Sequence, residues 1–163
     1  MAKAKKAVPE GYHTITPQLT LDDAPRAIDW YKKALGAEEV SRSTSPDGKI
    51  MHAELKIGDS IIFINDEFQG MAAAPTPGVT PSTYLFLYTE DVDSVYNRAV
   101  SMGSKVTMPL DNMFWGDRYG KVMDPFGHQW GVAQHVEDVA PDDMKRRQDA
   151  AMAASMAKAA GQN

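Results

Sequence analysis

LTLDDAPRAIDWYKKALGAEEV, residues 19–40, reads as a strand end, an acidic cap, a helix and the start of a further strand. Asp22 and Asp23 stand where carboxylates satisfy the free amides of a first helical turn, and Pro25 suits that turn because its missing N–H costs nothing there. Ala27, Ile28, Tyr31 and Leu35 recur at helical spacing, and Gly36 supplies a left-handed stop. The pattern returns in LYTEDVDSVYNRAVSMGSKV, residues 87–106. There Glu90 and Asp91 precede Val92, Val95, Tyr96 and Ala99, and Gly103 ends the run. Gly36 to Gly103 and Gly58 to Gly127 span nearly equal lengths of chain. Separations that steady imply duplication.

Each copy continues as strands. KIMHAELKIG (49–58) alternates, SIIFIND (60–66) is an apolar run, and a Pro-Asp-Gly turn at 46–48 joins the preceding strand. The second copy offers KVTMPL, FWGDRYGKVMD and HQWGVAQH. Each module therefore reads β-α-β-β-β, the first over 13–67 and the second over 83–138. A flexible N-terminal tail (1–12) precedes them, and a Pro/Gly/Ala-rich linker (68–82) joins them. Pro141, Asp142, Asp143 and an alanine-rich remainder make 139–163 a C-terminal helix and tail. A four-stranded sheet carrying one helix buries only one face well. The expected α+β fold pairs the two modules into a curved eight-stranded half-barrel around a central cavity.

The 163 residues, 43% of them hydrophobic, are enough for a sizeable core. A net charge of −5 disfavours nucleic acid, and the basic cluster Lys3, Lys5 and Lys6 is confined to the N-terminus. No apolar run of signal-peptide or membrane-spanning length is present, so the expectation is a cytoplasmic chain that neither spans nor lies on a membrane. The absence of cysteine removes disulfides and thiolate ligands, leaving His, Asp and Glu as strong metal ligands. No phosphate-cradling loop or dinucleotide fingerprint follows the first strand, and no Ser/His/acid set can be assigned.

AIDWYKKALGAEE, PDGKIMHAEL, FWGDRYG and DPFGHQW, taken with the internal repeat, resemble the glyoxalase, bleomycin-resistance and extradiol-dioxygenase superfamily, the vicinal oxygen chelate proteins. The resemblance covers residues 13–138 and is greatest to the PhnB-like branch. It implies paired β-α-β-β-β modules, homodimers, and in some members exchange of modules between subunits. It also implies four metal-holding places, on the first and last strand of each module. Those places fall on Thr16 (with His13 nearby), Ile62 or Phe63, Tyr84 and Gly131. Thr, Ile, Tyr and Gly cannot supply an imidazole and carboxylate set. The expectation is a protein without a metal or other cofactor. The alternative is a divalent metal held at a rebuilt site by His52 and Glu54, which share one face of a strand, with His128 across the cavity.

The stretch FWGDRYGKVMDPFGHQWGVAQH (114–135) divides into architecture and candidate site. DPFG demands a tight turn, which Asp124 caps and Phe126 packs beneath. Gly116 marks a bulge or a close backbone approach, and Asp117 and Arg118 fall on opposite faces. An inward Arg118 would pair with an acid or await a polar ligand. Trp115 and Trp130 are expected to wall the cavity, joined by Phe63, Tyr84 and Phe86, whereas Trp30 packs in the core. His135, with Glu137 and Asp138, is expected to form a strand-end cluster anchoring the last helix.

Three functions compete. The favoured one is metal-free binding of a small organic molecule in an aromatic cavity. The others are a metal-dependent lyase, isomerase or dioxygenase, and a protein-interaction module with a filled cavity. The residues leave open whether the chain is an enzyme.

Overall fold

A computed structural model describes residues 4–160. The first module comprises β1 (Gln18–Leu21), α1 (Ala24–Leu35), β2 (Glu38–Thr44), β3 (Ile50–Ile57) and β4 (Ser60–Asp66). The second comprises β5 (Tyr84–Tyr88), α2 (Val92–Ser101), β6 (Lys105–Asn112), β7 (Asp117–Met123) and β8 (Gln129–His135), and α3 (Pro141–Ala160) follows. The helix starts obey the expected chemistry: the Asp23 carboxylate accepts the Arg26 amide and that of Asp91 accepts the Ser94 amide. Gly36 closes α1 at φ 72°, a left-handed value that favours glycine. Residues 1–3 of the expected tail and 161–163 of the expected C-terminal segment lie outside the described residues.

Two four-stranded mixed sheets result, in the orders β1-β4-β3-β2 and β5-β8-β7-β6. In each, the first and last strands of the module run parallel and the rest pair antiparallel. The fold is α+β, as expected. The linker forms no helix or strand beyond a bridge between Phe68 and Ala72. Phe114 to Gly116, expected within a strand, instead turn the chain between β6 and β7, with the Gly116 amide donating to Met113 at 3.1 Å.

One face of each sheet is covered by its helix. Leu19, Leu21, Ile62 and Ile64 pack there in the first module, and Val122, Trp130 and Val132 in the second, all within one continuous core. The modules are joined through this helical side. Trp30 Nε1 donates to the Met102 carbonyl at 2.9 Å, and Arg98 Nε to the Ala34 carbonyl at 2.9 Å. Between them sits Asp124, 3% exposed. One of its oxygens accepts the Phe126 and His128 amides at 2.9 Å each, the turn cap the sequence suggests. The other accepts Tyr31 Oη from α1 at 2.8 Å and Trp130 Nε1 at 3.0 Å. A single carboxylate thus closes the β7–β8 turn and ties it to the other module.

The opposite, helix-free faces differ in character. In the first module Gln18, Thr20, His52, Glu54, Phe63 and Asn65 share this face, because Gln18 pairs with Phe63 and Glu54 with Phe63 across the ladders. In the second, Tyr84, Phe86 and Tyr88 of β5 share it with Asp117, Tyr119 and Lys121 of β7 and Gly131 of β8. Polar residues dominate one face and aromatics the other. Among the described residues no helix is long and apolar enough to cross a membrane.

Candidate functional site

The aromatic face is built by strand alternation. Leu85 and Leu87 turn inward to the core, so Tyr84, Phe86 and Tyr88 must turn outward. They remain 40%, 43% and 60% exposed, an unusual cluster of large aromatics at a surface. Tyr119 forms the buried floor, its ring stacked on Phe86 at 5.0 Å and 7°. Trp115 packs beside it at 5.9 Å, and Phe86 meets Tyr88 at 5.0 Å. Glycine at 131 is what admits these rings. A Cβ there would stand 2.9 Å from Tyr119 Cε2 and 3.2 Å from Tyr84 Cε2.

Two charges border the platform. At one end Asp117, 4% exposed, accepts Tyr88 Oη at 2.9 Å and Trp115 Nε1 at 3.0 Å, and bonds His135 Nδ1 at 2.8 Å. Burial pushes its carboxyl pKa up, but the bonds from His135, Tyr88 and Trp115 outweigh this and the net direction is downward. At the other end the Lys121 ammonium lies 4.4 Å from the centre of the Tyr84 ring. Burial and a hydrogen bond with the Tyr84 hydroxyl push the Tyr119 phenol up.

Space for a ligand lies at the module junction. A cavity of about 540 Å³ is lined by Gln18 and Thr20 of β1, Tyr84 of β5, Gln129 of β8 and Pro75 of the linker. A second, of about 410 Å³, is bordered by Phe86 and Tyr88 with His13, Ile15 and Ile61. The aromatic face therefore opens onto both.

Several sequence expectations are corrected here. Trp130 touches the 410 Å³ cavity but does not belong to the aromatic face. Its partners across the ladders are Leu85 and Val122, which puts it on the helix-covered face, 2% exposed and 5.6 Å from Tyr31. Arg118 does not face inward either: it pairs with Asp93 at the start of α2, at 2.6 and 2.8 Å, so Asp117 is the inward member of that pair. The metal-holding place on β4 is Phe63 rather than Ile62. Phe63 pairs with Gln18 just as Gly131 pairs with Phe86, while Ile62 is buried against the helix.

Phe63 itself lies apart from Tyr84 and Phe86, against His52 at 4.7 Å and Tyr12 at 6.1 Å. His52 and Glu54 do stay together at 3.3 Å, and Tyr12 donates to Glu54 at 2.6 Å, so the tail is anchored at that point. His128 does not join them. Its Nε2 reaches the Thr20 carbonyl at 3.1 Å on β1, two strands away from β3. Among the described residues no three His, Asp or Glu side chains are grouped to hold a metal ion. Trp30 packs in the core as expected.

Tyr119 and Lys121 are not singled out by the sequence, whereas Tyr88 shares the parity of Tyr84 and Phe86. The signal available was parity: 117, 119 and 121 on one strand face 84, 86 and 88 on another once β8 is placed between them.

His135 sits between Asp138 (3.0 Å) and Asp117 (2.8 Å), which together raise its pKa. A raised folded value adds stability that is complete below the ordinary value of 6.5 and is lost as pH rises through the folded one. The melting-temperature gap between wild type and His135→Gln should therefore narrow from about pH 6 to about pH 9. A constant gap over that range would remove the imidazolium from this account. Glu137 pairs with Arg147 at 2.6 and 2.8 Å, which fastens the start of α3 beside the cluster.

The sequence model of the Glyoxalase/Bleomycin resistance protein/Dioxygenase superfamily matches residues 12–132. The chain belongs to this superfamily. Among relatives, the uncharacterized protein Rv0887c of Mycobacterium tuberculosis is 42% identical over 136 residues, covering 80% of this chain and 79% of its own length. The superfamily fold is also seen in the crystal structure of TioX from Micromonospora sp. ML1, with TM-score 0.61 and 27% identity over 76% of this chain and 99% of that one. The PhnB protein from Bacillus cereus gives TM-score 0.58 and 21% identity over 75% and 99% of the two chains, which is likeness of fold alone.

Proposed function

We propose that this superfamily member binds a small planar organic molecule on the aromatic face of its second module, without a metal, as a cytoplasmic homodimer of the PhnB-like branch. The observation that carries the reading is the exposed set Tyr84, Phe86 and Tyr88 over a Tyr119 floor, opening onto cavities at the module junction. Exposed aromatic clusters of this kind cost solvation free energy in the free protein and mark binding surfaces. Stacking on such rings contributes about 0.5–1.5 kcal/mol per pair beyond the area buried. A second subunit covering part of the same face accounts for the exposure that one chain leaves.

The test is a titration with planar aromatic compounds followed by tryptophan emission, alongside sedimentation for the subunit count. Trp30 and Trp130 are buried in the core and Trp115 borders the platform, so quenching should arise mainly from Trp115. Saturable quenching in wild type that disappears in Trp115→Phe, while calorimetry still reports binding, is the expected result. Treatment with chelator should leave the affinity unchanged. Absence of saturable binding across a broad aromatic set would refute the reading, and a chelator-sensitive affinity would refute its metal-free part.

A further inference from the structure

The two ends of the platform differ in their capacity for a ligand. Asp117 already receives Tyr88, Trp115 and His135, so its oxygens are committed. Lys121 is different. Half-buried on β7, it reaches no carboxylate within 4.0 Å among the described residues, as is also true of Lys49, Lys56 and Lys105. Its ammonium is held instead over the face of Tyr84. Lys121 and Gly131 are direct cross-strand partners, and the rings of Tyr84 and Tyr119 both lie above Gly131. An atom built on Gly131 would meet Tyr119 Oη at 3.1 Å. The ammonium therefore stands over a ring that also lines the 540 Å³ cavity.

A cationic ligand would stack well on bare aromatic rings, but here it would meet a resident ammonium and no free carboxylate. An oxyanion would meet the opposite: a cation lacking an acid partner. We infer that the platform selects a planar organic acid, with its ring against Tyr84 and Phe86 and its charged oxygen bound by Lys121. This rests on the aromatic-face reading and specifies the charge of the ligand.

The probes are 2-naphthoate, its uncharged methyl ester and 2-naphthylmethylammonium, titrated calorimetrically into wild type, Lys121→Met and Lys121→Arg. Circular dichroism confirms that the variants fold. In wild type the acid should bind about tenfold or more tighter than the ester, as a charge-assisted hydrogen bond provides, and the ammonium more weakly than the ester. Lys121→Met should bring the acid-to-ester ratio to about one by removing that bond, and Lys121→Arg should keep most of the preference. Equal binding of acid and ester to wild type, or a ratio that survives in Lys121→Met, overturns the anion assignment and leaves the aromatic-face reading standing. Failure of all three probes to bind overturns both.

Discussion

Replacing Asp124 by alanine is expected to destabilise the fold by about 3–5 kcal/mol, the cost of stranding buried partners when one member of a charged network is removed. Four donors lose their acceptor at once: the amides of Phe126 and His128, the Tyr31 hydroxyl and the Trp130 indole. Water cannot readily replace the carboxylate, because Asp124, Tyr31 and Trp130 are all buried. For a chain of this length each kcal/mol lowers the melting temperature by about 2–4 °C, so a fall of at least about 6 °C should be seen in a thermal scan. Tyr31→Phe removes one donor and leaves the turn cap intact; about 1.5–3 kcal/mol is expected. If Tyr31→Phe cost nothing while Asp124→Ala remained costly, the carboxylate would be a local turn cap and not the tie between modules.

The turn half of this arrangement is legible in DPFG, since Pro and Gly at those places demand a tight turn and an aspartate before them caps it. The other half is not. That Tyr31 reaches Asp124 from the other module is a long-range fact, and no local pattern encodes it. The duplicated cap, helix and glycine stop gave the two modules for the same reason that the turn was readable: each depends on neighbours in sequence.

The face assignments depended on register, where one residue of slip exchanges the two sides of a strand. Ile62 and Phe63 show this directly, and so do Trp130 and Gly131: both members of each pair suit a strand, and only the pairing with β1 or β5 decides which is outward. Arg118 misled because it is the charge that draws attention, yet its neighbour Asp117 holds the inward position. Asp117, Tyr119 and Lys121 alternate in the sequence, but a turn at 113–116 resets the parity that would have pointed them inward.

Gly116 sets that parity, and Gly116→Ala is expected to be about as damaging as the loss of Asp124. Its φ of 97° is one that a side chain adopts at a cost of about 1–2 kcal/mol. Sterics add to this. An ideal Cβ would overlap the Glu137 carbonyl oxygen and stand 3.1 Å from Val139 Cγ2. The segment cannot simply swing away, since the Val136 and Glu137 amides both donate to the Gly116 carbonyl, at 2.9 and 3.0 Å. Forcing them apart would also pull His135 from Asp117, the acid that orients Trp115 and Tyr88 at the platform's end. Overpacking of this kind costs about 1–3 kcal/mol, giving a total of about 2–5 kcal/mol with the backbone term. Gly36→Ala is the control, because Gly36 has φ 72° but nothing within 4 Å of an added Cβ. It carries the conformational cost without the collision. Gly116→Ala should therefore melt well below Gly36→Ala, and its tryptophan emission should shift as Trp115 loses Asp117. Equal melting temperatures for the two variants would mean that residues 136–138 give way freely, and that the close approach at Gly116 does not hold the end of the aromatic face in place.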